Sequence, residues 1–276
     1  MEKKLDISVI SPVFNELENL ETFVESVTAV MNSTNMSWEL IIVDDGSNDG
    51  SSKILKKIGH QENIRSILLS KNYGQTTAIQ AGFDNAVGEY FVTLDSDLQN
   101  DPKDIPMLIQ KLINEELDLV VGWRKDRKDN YFFRNLPSIL ANKLIGTITG
   151  VKLHDYGCSL KAYRAEVLKE VKLYGEMHRF IPAWMATKIP ASKISEIEVT
   201  HHPRIAGESK YGISRTFRVF VDLISVYFFM KFFSKPGHFF GLIGLLLSSF
   251  GALILVYLIS LKPVSYTHLR AHETLP

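Results

Sequence analysis

The stretch Tyr90-Phe91-Val92-Thr93-Leu94-Asp95-Ser96-Asp97-Leu98-Gln99 decides the reading of this chain. An apolar, β-prone run ends abruptly in two carboxylates one residue apart, with an amide two positions further on. On an extended or turning backbone Asp95 and Asp97 can point the same way. That suits a hard divalent cation, which takes oxygen ligands and keeps positions for water and substrate phosphates. The same residues also suit an Asx-rich turn closing a strand. Their surroundings decide between the two.

On both sides of this stretch, short apolar runs alternate with helical patterns. Residues 7–10, 40–43, 66–69, 90–94 and 117–121 read as strands, and 20–31, 51–58, 76–87 and 105–114 as helices. Such alternation implies βαβ units and a mostly parallel, Rossmann-like α/β sheet with helices on both faces. Ligands of these sheets bind beyond the carboxyl ends of the strands. The first strand ends in Ser11-Pro12-Val13-Phe14-Asn15-Glu16, the second in Asp44-Asp45-Gly46-Ser47 and the fourth in Asp95-Ser96-Asp97. Polar groups therefore gather where that rule expects a site. No G-x-G-x-x-G follows the first strand and no G-x-x-x-x-G-K-S/T occurs anywhere, which argues against a dinucleotide fingerprint and a phosphate loop.

The 276 residues suffice for one substantial α/β domain and an appendage. Lys+Arg and Asp+Glu both total 31, so no net charge points to nucleic acid and any electrostatic function is local. Cys158 is the sole cysteine, which excludes an intramolecular disulfide and fits a reducing compartment. Histidine ligation of zinc is disfavoured, because His201-His202 is adjacent rather than helically spaced and no cysteine pair accompanies it. No secretory leader is read in Met1-Glu2-Lys3-Lys4, which runs straight into a strand pattern.

Toward the C-terminus, Arg215, Arg218, Asp222 and Ser225 form a polar stripe on an otherwise aromatic and aliphatic pattern, predicting an amphipathic helix in the membrane interface. Packing of that helix on the domain would give the same pattern. Residues 239–261 carry no charge and are long enough to cross a bilayer. Arg215, Arg218, Lys231 and Lys235 precede them, which places the large N-terminal region in the cytoplasm. The expected organisation is a domain over 1–211, an interface helix and linker over 212–237 and a transmembrane helix over 238–262. The polar tail 263–276 lacks helical periodicity and reads as a truncated frame or artificial extension, set aside from fold reasoning.

Five motifs occur in order: Pro12-Val13-Phe14-Asn15-Glu16, Val43-Asp44-Asp45-Gly46-Ser47, Asp95-Ser96-Asp97-Leu98-Gln99, Asp155-Tyr156-Gly157-Cys158 and Gly207-Glu208-Ser209-Lys210-Tyr211. With the C-terminal span, they resemble an inverting GT-A-fold glycosyltransferase of family 2, in the branch of dolichyl-phosphate mannose synthases and bacterial polyprenyl-phosphate glycosyltransferases. The resemblance implies a donor nucleoside between Pro12, Phe14, Glu16 and the Asp44, Asp45, Ser47 turn. It implies a divalent metal, Mg2+ or Mn2+, on Asp95 and Asp97, with the Gln99 amide as a third candidate. Arg204 and Lys210 belong to a loop that closes over the donor diphosphate, a task suited to an arginine fork and a lysine point charge. Arg124 and Arg134 fall where the family binds the acceptor phosphate, with Lys125, Arg127 and Lys128 as close competitors. Asp155 falls near sugar and acceptor. A hydroxyl acceptor would require a general base there, whereas a polyprenyl phosphate is already anionic.

The implied activity moves one sugar from a UDP- or GDP-sugar to a polyprenyl phosphate at the cytoplasmic face of the inner membrane. A family 2 polysaccharide synthase is the alternative, but none of Trp38, Trp123 and Trp184 follows an Arg as the Q-x-x-R-W motif of those enzymes requires. A non-catalytic scaffold would have no need of Asp95, Asp97, Arg204 and Lys210 together. Asn72-Tyr73-Gly74-Gln75 and the Asp155 motif also resemble the transferases that load a modified aminoarabinose onto undecaprenyl phosphate. The sugar and the oligomeric state are left open.

Overall fold

The computed structural model describes residues 5–125, 145–147, 150–173, 175–203, 225, 227–228, 231–232 and 235–271, with 262–271 described through their backbone only. Arg127, Lys128, Arg134, Arg204 and Lys210 lie outside the described residues. So does most of segment 212–237.

The first half alternates as the periodicity requires: β1 (Ile7–Val13), α1 (Leu17–Asn32), β2 (Trp38–Asp44), α2 (Ser51–Ile58), β3 (Ile64–Leu68), α3 (Gln75–Asn85), β4 (Tyr90–Thr93), α4 (Ile105–Asn114) and β5 (Leu119–Trp123). Two strands absent from the expectation follow, β6 (Lys161–Arg164) and β7 (Ile194–Glu198). All seven form one sheet in the order β3-β2-β1-β4-β6-β5-β7. Pairs among β1 to β4 are parallel, β6 runs antiparallel to both β4 and β5, and β7 pairs parallel with β5. The sheet is thus mixed, with a parallel half and one reversed strand.

Strand alternation distributes the core. One face of the sheet, with Val9, Val13, Leu40, Ile42, Val92 and Val120, packs against Phe23 and Val27 of α1, Leu55 of α2 and Leu108 and Leu112 of α4. In α4 the buried positions Ile105, Leu108, Ile109 and Leu112 recur at helical spacing, which is why this segment is a helix. The other face carries α3. Gly82 lies so close to Ile10 that a Cβ would stand 2.3 Å from its Cγ2. Phe83 stacks on Phe91 at 5.9 Å and meets Tyr163 edge-on at 5.8 Å.

The chain divides into two compact units, residues 1–226 and 227–276. In the second, a continuous helix spans Pro236–Ala271. Its portion Pro236–Leu261 is long and apolar enough to cross a membrane, with mean hydropathy 2.5 and no part of its most apolar stretch buried. Phe239 meets Phe228 at 5.1 Å and Phe232 at 5.3 Å at the base of this helix. The helix does not stop at the expected boundary of 262 but runs through Pro263 to Ala271, into the tail that shows no helical periodicity.

A truncation tests the membrane reading. Ending the chain before Pro236 should weaken membrane association without abolishing it, because the 212–237 pattern still supplies an apolar face. A truncated protein that is wholly soluble and monodisperse without detergent would mean that this segment packs on the domain instead.

Candidate active site

The chain runs from β1 outward through β2 to β3, then returns to place β4 on the other side of β1. That reversal opens a crevice beyond the carboxyl ends of β1 and β4, where doubly wound sheets bind ligands. An open cleft of about 220 Å³ occupies this place, lined by Pro12, Val13, Phe14 and Glu16 after β1, Asp45 after β2, Asn72, Gly74 and Gln75 before α3, and Asp95, Ser96 and Asp97 after β4. Each of the four loops turns through a positive φ: Asn15 at 55°, Gly46 at 72°, Gly74 at 95° and Leu98 at 59°. Leu98 is the unusual one, a branched side chain in left-handed space immediately after the Asp-Ser-Asp motif. Strain of that kind gathers at functional sites.

The loops are tied to one another. The Asn15 N–H donates to Ser47 Oγ at 2.9 Å, and the Asn48 N–H donates to Asn15 Oδ1 at 2.9 Å. Asp44, 1 % exposed, braces its own turn: Oδ1 accepts from the Ser47 N–H at 3.1 Å and Oδ2 from the Ser52 hydroxyl. Asp45 accepts the N–H groups of Tyr73 at 2.7 Å and Gly74 at 2.9 Å. Gly46 cannot be replaced without moving this loop, since a Cβ there would stand 2.4 Å from the carbonyl carbon of Lys71. Glu16 accepts from the Asn19 amide at 2.8 Å.

Asp95 is half-buried at the lip and closely surrounded, and Asp97 is buried. Burial, reinforced by the neighbouring charge of Asp97, pushes the Asp95 carboxyl up from 3.8 to about 6. The Lys161 and Arg124 charges lower it only in part. No group of three or more His, Cys, Asp or Glu that could hold a metal occurs among the described residues. Two hard oxygen donors beside an open cleft nevertheless fit Mg2+ or Mn2+, which binds through one or two carboxylates and fills its other positions with water and phosphate oxygens. Gln99, the third candidate, does not line the cleft: its N–H donates to Asp97 Oδ1 at 3.2 Å, and its carbonyl accepts from the His202 N–H at 2.7 Å.

A second cluster adjoins the pair. Arg124 donates to Asp155 through two prongs, Nε to Oδ2 at 2.7 Å and an Nη to Oδ1 at 3.0 Å, and Gly157 N–H adds a third bond to Oδ1 at 3.1 Å. The side chains are 12 % and 5 % exposed. Burial opposes the Arg124 charge, but hydrogen bonding and charge from Asp155 more than offset it. Beneath lies Lys161, 3 % exposed, its ammonium bonded to the Cys158 carbonyl and its pKa drawn down by burial. The Lys161 and Arg124 charges both act on Asp95. Asn100 stitches the two clusters together: its amide donates to Ser159 Oγ at 2.8 Å, while Thr93 Oγ1 donates to the Ser159 carbonyl at 2.7 Å.

The structure therefore gathers Pro12, Phe14, Glu16, Asp45, Asp95 and Asp97 around one cleft and joins Arg124 to Asp155 beside it. Asp44 and Ser47 brace the turn behind the cleft and, like Gln99, are not in its lining. Lys161, Asn100 and Gln75 are parts of the site that the motifs did not assign. Lys161 sits in a strand that escaped prediction, and Gln75 was legible only as part of Asn72-Tyr73-Gly74-Gln75.

Residues 8–172 match the model of glycosyl transferase family 2. The chain belongs to that family. Dodecaprenyl-phosphate galacturonate synthase of Rhizobium johnstonii is 56 % identical to this glycosyltransferase over 258 residues, 93 % of this chain and 76 % of the relative. Undecaprenyl-phosphate 4-deoxy-4-formamido-L-arabinose transferase of Aeromonas hydrophila subsp. hydrophila is 38 % identical over 221 residues, 79 % of this chain and 67 % of its own. The expected family 2 resemblance, in its polyprenyl-phosphate branch, is thereby met. Glucosyl-3-phosphoglycerate synthase from Mycobacterium tuberculosis, in complex with UDP, superposes with TM-score 0.62 at 20 % identity over 81 % of this chain and 80 % of that one. The same enzyme with Mn2+, UDP-glucose and phosphoglyceric acid gives 0.61 at 19 % identity, again over 81 % and 80 %. These likenesses establish the GT-A-like fold of the glycosyltransferase.

Proposed function

We propose that this glycosyltransferase moves a single sugar from a nucleotide sugar to a polyprenyl phosphate at the cytoplasmic face of the inner membrane, with inversion at the anomeric carbon. The observation that carries the reading is the meeting of two differently charged clusters at one sheet edge. A carboxylate pair lines the donor cleft, and a buried Arg124–Asp155 pair stands next to it. The named acceptors of the two relatives, dodecaprenyl and undecaprenyl phosphate, supply the lipid class.

In this reading the nucleoside of the donor lies along Pro12–Glu16 and Asp45, with its diphosphate toward Asp95 and Asp97. A divalent ion held there, Mg2+ or Mn2+, would neutralise the departing nucleoside diphosphate. Arg204 and Lys210 are assigned to the same diphosphate, and Arg124 with Arg134 to the phosphate of the acceptor. A lipid phosphate is already anionic at neutral pH, so no residue has to take a proton from it. The role assigned to Asp155 is to hold the Arg124 fork facing one way and to orient the sugar. The helix Pro236–Leu261 is assigned to the bilayer.

Incubating membranes that contain the protein with undecaprenyl phosphate and a panel of UDP- and GDP-sugars tests this directly. UDP-galacturonate heads the panel because the 56 % identical relative makes a galacturonate lipid. The expected result is one new sugar-phosphate lipid, identified by mass, that depends on one donor. Sugar transferred into a growing polysaccharide, or no product with any donor, would overturn the proposal.

A further inference from the structure

Gln75 lines the cleft but has no task in the proposed function. Gln75, the first residue of α3, extends its side-chain amide to Asp95 and donates from Nε2 to Oδ1 at 2.8 Å. A glutamine on a loose loop would hold this contact poorly, because ordering so flexible a side chain costs conformational entropy. Here the backbone is pinned on every side. Tyr73 and Gly74 give their N–H groups to Asp45, the turn at Gly46 presses on Lys71 and Asn72, and Thr76 Oγ1 bonds His178 Nδ1 at 2.7 Å. Burial and the charges of Arg179 and Lys161 pull His178 down to about 3, so it stays neutral at any working pH and the tie to Thr76 is constant.

We propose that Gln75 is a positioning residue for Asp95: its amide holds one oxygen of the carboxylate and so fixes the orientation in which Asp95 meets a divalent cation. An uncharged donor suits this task, since a cationic one would compete with the metal for the carboxylate. The residue does a second thing through the loop that carries it. Asp45, on the nucleoside side of the cleft, grips the two residues just before Gln75, so the nucleoside wall and the Asp-Ser-Asp motif are mechanically one unit. The inference rests on the reading of Asp95 and Asp97 as cation ligands. Outer groups that orient a metal ligand typically account for 10- to 100-fold in metal affinity.

The test titrates Mn2+ alone into the full-length protein in detergent, following the free-ion signal by electron paramagnetic resonance. Wild type is compared with Gln75→Met, which keeps length but loses the donor, Gln75→Asn, which keeps the amide but cannot reach, and Asp97→Asn. Both Gln75 variants should bind Mn2+ about tenfold more weakly, while melting temperature and metal-free UDP affinity stay at the wild-type values. If wild type and Asp97→Asn bind Mn2+ equally, the cation reading of the site itself fails. If Asp97→Asn loses Mn2+ and Gln75→Met does not, the cation reading stands and the role given to Gln75 is wrong. Loss of metal-free UDP binding in Gln75→Met would also overturn it, making the residue a donor contact instead.

Discussion

Replacing Asp97 with Asn, or Asp95 with Ala, should lower turnover by at least about 10²- to 10³-fold, the range seen when one group that stabilises developing negative charge is removed. The fold should survive, because both residues follow the end of β4 at the cleft rather than fill the core. The same pair predicts a pH signature in the metal-free protein. The Asp95 carboxyl is raised from 3.8 to about 6 in the folded state, so the folded protein binds its proton more tightly than the unfolded chain does. Its contribution is therefore most favourable below pH 4 and is lost as pH rises through 6. A cation at the site relieves that cost, so Mn2+ should raise the melting temperature more at pH 7.5 than at pH 5. Full activity in excess chelator, or a Mn2+ effect independent of pH, would exclude Asp95 and Asp97 as its ligands.

The second large effect is expected at the Arg124–Asp155 pair. Asp155→Ala leaves a buried guanidinium without its partner, which costs about 3–5 kcal/mol. For a domain of this size the melting temperature should fall by roughly 10 °C. Turnover should fall as well, and instability alone could account for that. The double variant Arg124→Met/Asp155→Leu separates the causes, because replacing a buried pair by apolar groups of similar volume is often neutral for stability. It should regain most of the lost melting temperature yet remain inactive. Recovery of turnover in the double variant would reduce the pair to a structural brace.

Much of this was legible in the sequence for a physical reason. The strands that build the parallel half are unbroken apolar runs ending in polar loops, and a site at their carboxyl ends follows from topology. Asp45, Asp95, Asp97 and the Pro12–Glu16 segment are therefore readable as neighbours from the sequence alone. The strands β6 and β7 were not. Lys161-Ala162-Tyr163-Arg164 begins and ends in a cation, and Ile194-Ser195-Glu196-Ile197-Glu198 carries two carboxylates, so neither looks like a core strand. A lysine buried in the sheet defies the usual partition of charge, and only its setting among Cys158, Asp155 and Asp95 explains it. The bond between Arg124 and Asp155 spans 31 positions and was beyond reach once β6 had been missed. Asp44 and Asp45 look equivalent in sequence, whereas in the fold Asp45 lines the cleft and Asp44 bonds Ser47 and Ser52.

The reversed strand also bears on how such a chain can change in length. Val121 of β5 and Lys161 of β6 are direct partners across the sheet, so the chain departs at one strand and comes back beside it at the same edge. The stretch between them leaves and returns at two points that the ladder already holds together. Lengthening such an insert adds little further closure entropy, because each doubling of a loop costs only about 0.6 kcal/mol. Arg124 and Asp155 lie in that stretch, whereas Asp45, Asp95 and Asp97 follow strands of the parallel half. The two ends of the stretch stay coupled to the carboxylate pair, since the Asn100 amide donates to Ser159 and the Arg124 charge acts on Asp95. A fold wired in this way can absorb changes of length in that stretch while the strands that present Asp95 and Asp97 keep their pairing.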